Sequence, residues 1–180
     1  RSRGLGDVYK RQDNDGDMDL VVGNLGNNYK YQANEDETFD IFYNDFDGNN
    51  SGDIVLSYYN DGEQYPLRGR QCSSEQIPAI KLKFDDYDAF SIATLEDVYT
   101  EPALENSLHY FTKTFSSVYL ENVGNSFIMS KLPVLAQLSS VNKILKKDID
   151  DDGFVDIIIS GNMFNSEVET PRNDGSVGAL

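Results

Sequence analysis

DIDDDGFVDIII, Asp148 to Ile159, is the stretch on which the reading of this chain turns. Its acids stand at positions 1, 3, 5 and 9 of the run, as Asp148, Asp150, Asp152 and Asp156. Gly153 holds position 6, and an apolar run begins at position 10. Short carboxylates at alternating positions of a tight loop bring their oxygens toward one point, and a glycine lets the chain turn sharply between them. Position 7 can add a main-chain carbonyl, here that of Phe154, and position 9 closes the shell from the start of the next element. Hard oxygens at flexible distances suit Ca²⁺, which takes about 6–8 of them, whereas Mg²⁺ keeps more of its own water. Four carboxylates so close together repel strongly without a cation.

Two further stretches fit the same register. DFDGNNSGDIVL (Asp45–Leu56) offers Asp45, Asp47, Asn49 and Asp53 at positions 1, 3, 5 and 9, with the carbonyl of Ser51 at position 7. Asn50 stands at its position 6; asparagine is the next best residue after glycine for a positive φ. DNDGDMDLVV (Asp13–Val22) places Asp13, Asp15 and Asp19 at positions 3, 5 and 9, Gly16 at 6 and the carbonyl of Asp17 at 7. Position 1 of that copy falls on Arg11. The EF-hand alternative fails at position 12, where a bidentate acid and a helix are needed. Val22, Leu56 and Ile159 stand there, inside the apolar runs Leu20–Val22, Ile54–Leu56 and Ile157–Ile159. These runs read as buried strands, so the repeating unit is loop followed by strand.

The first copy continues as DLVVGN (Asp19–Asn24) and the third as DIIISGN (Asp156–Asn162). SSVYLENVGNSFIMSKLP (Ser116–Pro133) reads as two strands, about 117–121 and 127–130, joined by a turn at Asn122–Asn125. An Asp loop, an apolar strand ending in GN and a YLEN-x-GN-x-F hairpin together resemble the FG-GAP/VCBS-type repeats of integrin-like β-propellers, in their secreted bacterial form. The resemblance is carried by Asp13–Asn24, Phe39–Gly69 and Phe115–Asn162. It implies an all-β fold, an incomplete β-propeller of about two to three blades over residues 13–180. It also implies one Ca²⁺ at each loop, an extracellular or cell-surface setting, and ligand binding or adhesion without catalysis. The partners implied are a glycan or protein ligand and the remaining propeller blades of the same chain. Three departures stand out: Arg11 at position 1 of the first loop, Asn49, Asn50 and Gly52 in the second, and a spacing between the second and third loops too long for one simple blade.

That spacing predicts a helical insertion over about 70–106. Ser74 is a candidate cap for a helix at 75–84 that presents Ile77, Ile80 and Phe84. TLEDVY opens with Thr94 and has Asp97 three residues on, a capping-box pattern for a second helix at 94–99 that presents Leu95. Both helices are expected to pack on the propeller's flank. Asp85, Asp86 and Asp88 read as a solvated turn between them.

Of 180 residues, 31 are acidic and 15 basic, a formal charge of −16. So acidic a surface argues against nucleic acid and anionic membranes as partners. No apolar run approaches the roughly 18–20 residues of a membrane span. Cys72 is the single cysteine and His109 the single histidine, which excludes a disulfide framework and a multi-cysteine zinc site. No nucleophile signature accompanies His109, which reads as an edge histidine rather than a base. Arg68 and Arg70 in YPLRGR could take an anionic sugar or a carboxylate, though salt bridges to neighbouring acids are the plainer reading. Tyr58, Tyr59 and Tyr65 could stack on sugar rings. Paired acids could serve a polysaccharide-active enzyme, and a purely structural repeat scaffold is a further alternative. Metal spacing already accounts for the acids, so the chain reads as no enzyme. Ser2–Gln12 (SRGLGDVYKRQ) reads as the in-frame translation of a transposase-type sequencing adapter. Residues 1–12 are therefore expected to be foreign, with the natural N-terminus and any signal peptide lying outside this sequence.

Overall fold

The computed structural model describes the backbone of residues 7–9 and, with their side chains, residues 17–166 and 170–180. In chain order the strands are β1 (Asp7–Tyr9), β2 (Leu20–Val22), β3 (Phe39–Asn44), β4 (Asp53–Asn60), β5 (Glu63–Pro66), β6 (Leu108–Thr112), β7 (Val118–Asn122), β8 (Phe127–Lys131), β9 (Lys143–Lys147) and β10 (Asp156–Ser160). Five short helices separate β5 from β6: α1 (Arg70–Gln76), α2 (Ala79–Lys83), α3 (Tyr87–Ser91), α4 (Leu95–Tyr99) and α5 (Glu101–Glu105). The fold is built mostly of antiparallel sheets. Among the described residues there are three sheets, each open and none closed into a ring.

The chain divides into two compact units. One comprises Arg1–Lys30 and Phe115–Leu180, the other Tyr31–Thr114. In the first, a four-stranded sheet runs in the order β1-β2-β7-β8, with β2 and β7 paired from Leu20↔Leu120 to Val22↔Val118. A second sheet is the hairpin of β9 and β10, paired from Asp156↔Lys147 to Ser160↔Lys143. Ala136, Val141 and Ile159 form a small core there, with Leu132, Ile144, Ile157 and Ala179 packed against it. Gln137, in a 3₁₀ turn at Val134–Gln137, is buried beside the edge of β7. Its side-chain amide donates to the carbonyls of Ser117 (2.8 Å) and Leu132 (3.0 Å) and accepts from the Ser117 N–H (2.9 Å). The side chain thus pairs with Ser117 as a strand residue would.

In the second unit the sheet order is β5-β4-β3-β6. Alternation explains β4: Asp53, Val55 and Ser57 are buried while their neighbours are not, the period of two expected of a strand with one covered face. The helices cover that face. Phe42 and Val55 from the sheet meet Ile77, Ile80, Phe90, Leu95, Val98, Tyr99 and Leu104 in one core.

The helical region corrects the expected boundaries. The helix foreseen at 75–84 is two helices, because Pro78 breaks it. Ile77 is forced into extended backbone, and α2 starts after the proline. Ser74 lies inside α1 and donates its hydroxyl to the Arg70 carbonyl, so it caps nothing. The acidic stretch 85–88 holds a helix start: Asp86 caps α3 by accepting from the Ala89 N–H at 2.8 Å. The capping box of Thr94 and Asp97 forms at the head of α4. Ile77, Ile80 and Leu95 are core residues of the second unit, and Phe84 packs against them. Among the described residues no helix is long and apolar enough to cross a membrane.

Candidate metal centres

Each of the two fully described Asp loops links two antiparallel strands, the first joining β3 to β4 and the second joining β9 to β10. In the loop at 45–53, one carboxylate oxygen from each of Asp45, Asp47 and Asp53 lies within 4.8 Å of the others. Asp148, Asp150 and Asp156 make the same group in the loop at 148–156. The main chain holds the acids in matching ways. The position-2 N–H donates to the position-9 carboxylate, Phe46 to Asp53 at 3.0 Å and Ile149 to Asp156 at 2.9 Å. The position-6 N–H donates to the position-1 carboxylate, Asn50 to Asp45 at 2.8 Å and Gly153 to Asp148 at 3.0 Å. The position-5 N–H donates to position 3, Asn49 to Asp47 and Asp152 to Asp150. Position 5 in turn accepts from position 7, Asn49 from Ser51 at 2.7 Å and Asp152 from Phe154 at 2.8 Å. Asp152 therefore stands outside the convergent group of three acids, with its carboxylate turned to the backbone.

Two residues of each loop have positive φ, at positions 4 and 6. They are Gly48 (74°) and Asn50 (64°) in one, Asp151 (60°) and Gly153 (92°) in the other. Each loop thus has one glycine for two left-handed sites, in opposite order. Gly52 at position 8 has a separate reason: a Cβ there would overlap the Tyr43 ring.

The arrangement fits a hard cation. At an effective dielectric of about 20, two carboxylates some 5 Å apart repel by about 3 kcal/mol, less where water screens them. Asp148 Oδ1 is shielded from solvent and has no hydrogen-bond partner. An orphaned buried carboxylate oxygen is costly unless something positive meets it. Asp53 is 4% exposed. Burial raises its pKa above the ordinary carboxylate value; the Phe46 N–H pulls the other way, and Asp47 and Asp45 add to the rise.

For the remaining copy, Asp13 and Asp15 lie outside the described residues. Asp19 is 1% exposed and accepts from the Asn122 N–H at 2.9 Å, while the Asn122 side-chain amide donates to the Met18 carbonyl. The last residue of β7 thus braces the position-9 acid, a link between sequence-distant residues that spacing alone does not signal.

The other polar candidates have structural partners. Arg70 donates to the carbonyls of Phe84 (2.7 Å), Lys81 and Asp85, closing the end of α2, and its guanidinium lies over the Tyr87 ring. Its partners are thus main-chain carbonyls and an aromatic ring rather than a neighbouring carboxylate. Arg68 donates to the side chain of Gln76. Tyr58 and Tyr65 pack on one another across β4 and β5, and all three tyrosines of that group are half-buried. Cys72 is half-buried in α1. His109 sits on the edge strand β6, 2.5 Å from the buried Asp40 carboxylate and stacked flat on Phe42 at 4.2 Å. Comparison with family models, with curated proteins and with solved structures gave no match.

Proposed function

We propose that this chain is part of a calcium-binding β-propeller of the FG-GAP/VCBS type, a module that presents a surface for an extracellular glycan or protein ligand. The observation that carries the reading is the repeated loop. Two segments in different units hold their acids by the same four hydrogen-bond relations, and each is set between antiparallel strands. Asp45, Asp47 and Asp53 would hold one ion, with Asn49 and the Ser51 carbonyl completing the shell. Asp148, Asp150 and Asp156 would hold another, with Asp152 and the Phe154 carbonyl beside them. A third ion belongs to the loop of Asp13, Asp15, Asp17 and Asp19. The ions would serve to pin each hairpin.

Calorimetry tests this. Ca²⁺ added to chelator-treated protein should release or absorb heat saturably at two or more sites, with Mg²⁺ much weaker. Equal and feeble responses to both ions would remove the metal reading, and the propeller assignment would lose its chief support.

A further inference from the structure

Four described residues other than glycine have positive φ, and three of them, Asn50, Asp61 and Asp151, are of the two kinds that tolerate it. The fourth is Thr100, at φ 65° and ψ 138°. A β-branched residue is an outlier there, and such backbone persists only where the surroundings over-determine it. Thr100 ends α4 and begins α5. It donates its N–H to the Glu96 carbonyl at 2.9 Å, and its own carbonyl accepts from the Leu104 N–H at 3.2 Å. Thr100 is exposed, and its side chain makes no capping bond to α5.

α5 cannot hold that conformation alone. It has five residues, of which Leu104 is the buried one, and a helix so short has no stability of its own in water. Its ties come from the two residues that flank the first acid of the loop at 45–53. The Asn44 side-chain amide donates to the Ala103 carbonyl at 3.0 Å, while its oxygen accepts from the Asp45 N–H at 2.9 Å. Phe46, whose N–H is held by Asp53, packs its ring on Tyr99, the residue before the strained one. A cavity of about 210 Å³ lies at this junction, lined by Phe46, Ile80, Tyr99, Thr100 and Ala103 among others. The corner between α4 and α5 therefore has room to shift against the loop.

We propose that the corner between α4 and α5 is a calcium-controlled latch, an inference that rests on the cation reading of the loop at 45–53. An ion among Asp45, Asp47 and Asp53 fixes Asn44 and Phe46, and these hold Thr100 in its unfavourable backbone. With the loop empty the acids repel one another and both ties slacken. Thr100 then relaxes to the β region, and the released strain favours opening. α5 lifts and uncovers Tyr99 and Leu104, which are 8% and 9% exposed when the corner is closed. Ion and closed corner stabilise each other to the same degree, as linkage requires.

Amide exchange of the full chain, read by NMR in chelator and in saturating Ca²⁺, tests the latch, with calorimetry alongside. In chelator the amides of Thr100, Leu104 and Asn106 should exchange at least about tenfold faster than those of Phe42 and Val55, the mark of a local opening. Calcium should slow the three at least about tenfold. Asp47→Ala should lose that slowing together with the heat of one site. Thr100→Gly, which accepts the backbone without strain, should slow Leu104 and Asn106 about tenfold even in chelator. If Asp47→Ala loses the heat of a site while exchange at α5 ignores calcium in the parent, the latch fails and the cation reading stands. If Asp47→Ala binds calcium with the parent's heat, the cation reading of this loop fails and the latch with it. Exchange at α5 no faster than at Phe42, or unchanged or quickened by Thr100→Gly, would also overturn the proposal.

Discussion

In the loop at 45–53 the position-9 acid, Asp53, is buried, and Phe46 at position 2 packs against Tyr99 with ring centroids 5.3 Å apart. The helices add main-chain ties: Asn44 donates to the Ala103 carbonyl, and Gln76 donates to that of Ile54. The loop at 148–156 has no such backing. Asp156 is half-buried, and Ile149 at position 2 is 43% exposed. In compensation it carries five acids where the other carries three. One loop is shaped by packing around a few charges; the other concentrates charge on a lightly supported turn. Cation affinity can rise by either route, since preorganisation lowers the cost of ordering the loop and added charge strengthens the attraction. On charge, the loop at 148–156 is expected to bind more tightly.

The largest expected effect breaks the comparison at position 9. Asp156→Ala should abolish that loop's share of calcium stabilisation while changing little in chelator. An ion present at a hundred times its Kd contributes about 2.7 kcal/mol. Asp53→Ala should destabilise in both conditions, because it also strips the Phe46 N–H of its acceptor, a loss of about 1–3 kcal/mol for a buried group. Melting curves with calcium and with chelator check both. If Asp156→Ala falls equally in the two conditions, the residue is a turn-former only.

Charge and shape can be separated at the same residue. Asp53→Asn keeps an acceptor for Phe46 and removes the charge. The folded pKa of Asp53 lies above its unfolded value. The stability it contributes is therefore present below the unfolded pKa and lost as pH rises through the folded one. Without cation, Asp53→Asn should equal or exceed the parent at pH 7, with the advantage vanishing on acidification. With calcium the variant should be the weaker protein. Chemical denaturation at several pH values decides; a variant inferior in chelator at pH 7 contradicts the burial argument.

The left-handed positions offer a smaller test. Asn50→Gly and Asp151→Gly should each stabilise, and Gly48→Ala and Gly153→Ala each destabilise, by about 1 kcal/mol. A destabilising change to glycine, or a stabilising change from glycine, at any of these four positions would show that the loops do not share a backbone. Smallest is Thr94→Ala, which removes the cap of α4 at a cost of about 1 kcal/mol. Calcium binding should weaken slightly at 45–53 and stay unchanged at 148–156. The hydrogen bond from the Thr94 N–H, then that from its hydroxyl, lowers the Asp97 pKa. The contribution of this box is present above the unfolded value and disappears as pH falls through the folded one.

Spacing alone located the Asp loops and the strands after them, because alternating acids and short apolar runs are local signals. It marked position 6 as a left-handed site but not position 4: Gly48 serves position 4 where Asp151 stands in the other loop, and the left-handed demand is shared by two sites. An aspartate with positive φ carries no mark in sequence. The capping box at Thr94 was legible for the same local reason as the loops. Pro78, which parts α1 from α2, is a breaker readable from the sequence. The contact of His109 with Asp40, or of Asn122 with Asp19, depends on strand register set by tertiary packing and has no local trace.

Gln137 carries a consequence for the chemical ageing of the protein. Its amide substitutes for a piece of main chain, with the NH₂ facing two carbonyls and the oxygen facing an N–H. Deamidation to glutamate would preserve size and outline while turning a donor into an anion against the Ser117 and Leu132 oxygens. A one-atom change of that kind, scarcely visible by mass, would pry the 3₁₀ turn from the edge of β7. Stored samples should therefore lose the first unit's packing before any peptide bond is cut.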